Sequence, residues 1–169
     1  MIRAAALCLL ASPAFGQDID VQFQDGNPFD RFIAFNRGCP IAAATLTVDF
    51  TTSRGGIVID TVRGGPGTRD PMDARLTEGN ATLVAVTDGD QGFVVDVIRF
   101  PTISAITVVM DVDDTTSLFE DGQVFADGQE LSGTTVALTL NDETVSTQLD
   151  TTGRGRLTIP PSAGACPIS

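Results

Sequence analysis

The sequence contains no lysine, histidine, tryptophan or tyrosine in 169 residues. Each absence removes a class of chemistry. Without histidine the chain lacks the usual general base and a common zinc ligand, and without lysine it forms no Schiff base. Without tryptophan or tyrosine it lacks the rings that supply many sugar-stacking platforms. All ten basic residues are arginine, against 22 acidic residues. The resulting net charge of −12 repels phosphate backbones and argues against nucleic-acid binding. Hydrophobic residues make up 42% and charged residues 19%, which fits a folded domain and neither a disordered acidic tail nor a membrane bundle.

The N-terminus, MIRAAALCLLASPAFG, reads as a secretory signal peptide over residues 1–16. Arg3 is the basic start, Ala4 to Ala11 are the apolar run, and Ala14-Phe15-Gly16 is the cleavage site. The run is too short to span a bilayer, and no later stretch reaches spanning length, so no transmembrane segment is expected. Cys8 has almost no apolar run before it, which argues against a lipid anchor. Residues 17–169 are expected to form one domain, periplasmic or secreted, with nine arginines against 22 acidic residues. Its two cysteines, Cys39 and Cys166, are expected to pair as a structural disulfide, because the compartment is oxidising. They lack the CxxC spacing of a redox pair.

Period-two alternation dominates the rest. Ile19, Val21 and Phe23 alternate with polar neighbours, as do Ala44, Leu46, Val48 and Phe50, and Val136, Leu138 and Leu140. This predicts strands with one buried face and one wet face. Gly, Pro, Asn and Asp clusters such as Asp25-Gly26-Asn27-Pro28, Asp88-Gly89-Asp90 and Asn141-Asp142 separate the runs and leave no useful helical period. The expectation is an all-β, antiparallel β-sandwich of about nine strands, Ig-like or of a related Greek-key type, with one disulfide. Phe23, Phe32, Phe35, Phe50, Phe93 and Phe100 are the predicted aromatic core, and Arg63–Leu76 the longest loop.

The sharpest chemical feature is Met110-Asp111-Val112-Asp113-Asp114, followed by Glu120 and Asp121. On a continuous strand Asp111 and Asp113 share a face, with Asp114 at the end. Carboxylates gathered at a strand end suit Ca²⁺, which takes six to eight oxygens, so Asp111, Asp113 and Asp114 are candidate Ca²⁺ ligands. The spacing is not that of an EF-hand loop. The competing reading is a solvated acidic face. Asp25, Asn27 and Asp30, and Asp88 with Asp90, are weaker oxygen clusters that also read as plain turns. Paired carboxylates would serve a hydrolase as acid and base, but no Asp or Glu is singled out as the acid. No serine has a histidine, and no phosphate-cradling loop is present. Asn80-Ala81-Thr82 matches a glycosylation acceptor. No catalytic residues and no firm cofactor are assigned.

Two stretches carry a resemblance. Phe23-Gln24-Asp25-Gly26-Asn27-Pro28, Asp30-Arg31-Phe32, Asn36 and Cys39-Pro40 resemble the opening of small exported bacterial proteins labelled "aggregation factor core". Asp111-Val112-Asp113-Asp114 and Gly128-Gln129-Glu130-Leu131-Ser132-Gly133-Thr134-Thr135-Val136 resemble their closing half. The resemblance implies Ca²⁺-dependent adhesion through the family label and carries no functional residues across. The leading expectation is an exported, non-enzymatic protein acting in surface adhesion, aggregation or envelope and matrix structure. A periplasmic protein-binding or inhibitor module and a carboxylate-based hydrolase are the alternatives. The sequence identifies neither partner nor oligomeric state.

Overall fold

The computed structural model describes residues 17–26, 29–65, 71–116 and 126–163. The predicted signal peptide, Asn27, Glu120, Asp121 and Cys166 lie outside them. The described chain is all-β and antiparallel, with twelve strands where about nine were expected. In one sheet β12 (Arg154–Ile159), β1 (Gln17–Gln24), β2 (Asp30–Asn36), β8 (Ser104–Met110) and β5 (Arg75–Glu78) lie side by side. The second orders β11 (Glu143–Gln148), β10 (Thr135–Leu140), β3 (Ile41–Asp49), β7 (Gly92–Phe100) and β6 (Asn80–Leu83). A two-stranded ribbon pairs β4 (Val58–Ile59) with β9 (Val112–Asp113).

Alternation decides which face of each strand is buried. Ile19, Val21 and Phe23 on β1 meet one core, to which Leu46 and Val48 on β3 and Val136 and Leu138 on β10 also belong. Shared burial of both five-stranded sheets gives a sandwich-like arrangement. Phe32 and Phe93 join the sheets edge to face at 5.4 Å between ring centroids, and Phe50 packs on Phe93 at 6.2 Å. Truncating one such ring to alanine costs about 3–5 kcal/mol. Phe35 departs from the expected core. It sits one residue out of phase with Phe32 and Ala34, half-buried on the outer face, with the Arg37 guanidinium 5.1 Å over its ring.

The turns follow their residues. Asn141 and Asp142 both take positive φ and close a two-residue hairpin between β10 and β11. Part of the predicted loop Arg63–Leu76 is strand, since Arg75 and Leu76 pair with Val109 and Val108 of β8. A single helical turn, α1 (Gly128–Leu131), precedes β10. Its capping box is complete: Asp127 Oδ1 accepts from the Gln129 and Glu130 amides, and Glu130 Oε2 accepts from the Asp127 amide. Buried Asn36 clamps the β2–β3 turn. Its Nδ2 donates to the carbonyls of Cys39, Phe100 and Pro101.

Candidate functional site

The ribbon creates a carboxylate cluster through its register. Ile59 pairs with Val112 and Val58 with Asp113, and the Asp60 amide donates to the Asp111 carbonyl at 3.0 Å. Asp60 therefore lies opposite Asp111, with Asp113 two residues further along the same face. Carboxylate oxygens of Asp60, Asp111 and Asp113 lie within 4.8 Å of one another. Ile59 and Val112 fall on the other face and are buried in the core.

Asp60 and Asp113 are buried and Asp111 is half-buried. Asp60 Oδ1 accepts from the Val62 amide at 3.3 Å, while Oδ2 is buried without a hydrogen-bond partner. Burial pushes the Asp60 carboxyl up, and the charge of Asp113 adds to the push. Beside it, the Asp88 carboxyl is held low, first by the Thr61 amide at 2.8 Å and also by the Val62 amide at 3.1 Å. The two neighbours are therefore pushed in opposite directions.

Of the three sequence candidates, Asp111 and Asp113 come together, joined by Asp60 instead of Asp114. Strand β8 ends at Met110 and β9 begins at Val112 with β4 as its new neighbour, while Asp111 and Asp113 keep the shared face that their spacing predicts. Asp113 and Asp114 are both buried, which excludes the solvated acidic face for these two residues. Asp114 packs by Gly55 and Glu130. A Cβ on Gly55 would stand 2.7 Å from Glu130 Cβ and 3.3 Å from Asp114 Cβ, so the approach requires glycine. The weaker clusters are structural. Asp30 ties the segment before β2 to β9, accepting from the Gly26 amide at 3.3 Å and the Val112 amide at 3.1 Å. Asp88 and Asp90 hold the turns at 61–62 and 87–90. Asp60 escaped the sequence reading. Its one signal is a lone acid closing the apolar run Ile57-Val58-Ile59.

A second charged region lies on the outer face of the β12-β1-β2-β8-β5 sheet. Concavities of about 650 Å³ and 440 Å³ share Gln24 and Ile33 and form one groove across the strands. Five arginines line it (Arg31, Arg37, Arg75, Arg154 and Arg156) with only three acids, Asp20, Glu78 and Asp150. Ile33, Phe35 and Val109 form an apolar strip between the charges. Asp20 is bonded by both Arg37 and Arg156, the latter Nε at 2.8 Å. Burial alone would raise its carboxyl, but the two guanidiniums outweigh it and hold it low. Arg31 and Arg75 make no ion pair among the described residues. Compared with family models, curated proteins and solved structures, the chain matches none.

Proposed function

We propose that the chain is an exported, non-enzymatic β-sandwich, Ig-like or of a related Greek-key type, that works by surface contact in adhesion or in envelope and matrix structure. Its contact surface is the arginine-lined groove, and its ligand is an extended polymer bearing carboxylates. One observation carries this reading: half of the ten arginines but only three of 22 acids line one concave face. Guanidinium forks recognise carboxylates in bidentate geometry, and the unpaired Arg31 and Arg75 have their donors open for it. The apolar strip through Ile33 and Phe35 gives such a chain a dry floor. The signal-peptide pattern and the resemblance to exported aggregation factors support the compartment and the adhesive role. A Cys39–Cys166 disulfide would fasten the β2–β3 turn to the C-terminal tail.

The test is binding to immobilised polyuronate and polyglutamate at low and high salt, repeated on Arg31→Ala/Arg75→Ala. Binding that weakens with salt and is lost in the double variant, with an unchanged melting temperature, supports the reading. Equal binding by the variant, or none by the natural chain, removes the groove as the contact surface. A protein ligand is the second reading, favoured by Phe29 standing exposed at the groove beside Arg31. It predicts retention of polyglutamate alone.

A further inference from the structure

Asp60 is fully buried, and its Oδ2 has no hydrogen-bond partner. An ionised carboxylate in that state is among the most costly arrangements a fold can hold. Two chemical states relieve it. Asp60 can keep a proton and share it with Asp88, or a cation can bind.

We propose that Asp60, Asp111 and Asp113 form a binding site for a hard divalent cation of the Ca²⁺ type, with Asp60 as its innermost ligand. The geometry favours the cation: Asp111 and Asp113 each bring a carboxylate oxygen within 4.8 Å of one of Asp60, so a single ion can bond all three. The donors are all oxygen, which selects Ca²⁺-class ions over zinc or copper. Three carboxylates supply three to six of the six to eight oxygens required, and half-buried Asp111 leaves a side open to water.

The position gives the ion a mechanical role. Asp60 is already a junction: its amide reaches Asp111, its carbonyl accepts from the Met72 amide at 3.1 Å, and preceding Ile59 accepts from the Gly89 amide at 2.8 Å. An ion held there bonds the ribbon, the 87–90 turn and the chain at Met72 into one unit. This site is independent of the arginine groove, so either reading can fail without the other.

The experiment strips the full chain with chelator at pH 7, then measures melting and equilibrium dialysis with about 10 mM Ca²⁺. The expected result is about one ion per chain and a melting temperature roughly 3–10 °C higher. Asp60→Asn should lose both effects, and Asp114→Asn should keep them. No response in the natural chain overturns the proposal and leaves the proton shared with Asp88. A full response in Asp60→Asn overturns it equally. Should Asp60→Asn fail to fold, half-buried Asp111→Asn is read by the same two criteria.

Discussion

At the ribbon end of the sandwich, burial drives the carboxyls of Asp60 and Asp114 upward. On the outer face of the first sheet, Asp20 and Asp150 are held below their ordinary value. Arg37 and Arg156 overcome burial at Asp20, and Thr152, by hydroxyl and amide, leads at Asp150. Both regions belong to one acidic chain. The balance of donors against burial separates them, since a carboxylate stays ionised where donors prevail and seeks a proton or a metal where burial prevails. The acid-rich end thus has the chemistry to take a cation, and the arginine-rich face has the chemistry to take an anion.

The largest effect that would sharpen this contrast concerns Asp30. Burial, aided by the charges of Asp25 and Asp111, lifts its carboxyl to about 7 against two opposing amide hydrogen bonds. Between about pH 4 and pH 7 the folded state therefore binds a proton that the unfolded state has released. Stability from this group falls as pH rises through that window and is level above it, a change of at most about 4 kcal/mol. Urea denaturation across the range should show a markedly flatter slope in Asp30→Asn. An unchanged slope would place the titration elsewhere.

Next in size is Asp60→Asn in chelator. The amide keeps an acceptor for Val62 and gains a donor toward Asp88, so stability should rise by about 1–3 kcal/mol. A loss instead would break the contrast, because it would mean that the charge is already compensated. Asp127→Ala should cost about 1 kcal/mol by removing the cap on α1. The substitution removes an exposed carboxylate that accepts from the Gln129 and Glu130 amides at 2.7 and 3.1 Å, and leaves in place the Asp127 amide that donates to buried Glu130. The smallest effect belongs to Asp20→Asn. Its arginines are largely exposed, so the loss should stay below about 1 kcal/mol and shrink in salt. Its low carboxyl contributes stability only above about pH 4, and that share fades as pH falls further.

These contrasts also explain what could be read from the residues alone. Strands β1 and β10 alternate throughout and β3 does so from Ala44 onward, and their inward residues are buried as the pattern required. Phe35 misled because hydrophobicity outweighed its phase, although Phe32 and Ala34 already fixed the inward face of β2. Asp111 and Asp113 were legible as candidates through their spacing. Asp60 was not, because it is 51 positions from Asp111 and only the ribbon register brings the two together. The arginine groove was equally hidden. Its arginines come from β2, β5, β12 and the turn after β2, and no local window contains more than two of them.

Strand β1 has one further consequence. It lies between β2 and β12, and Gln17 is paired with Ile159. About 130 residues separate β1 from β12, so a ribosome must add them all before β1 can find its second neighbour. Until then one edge of β1 offers unpaired amides and carbonyls to any passing chain. Such a topology folds slowly, because it must close distant contacts before the sheet is complete.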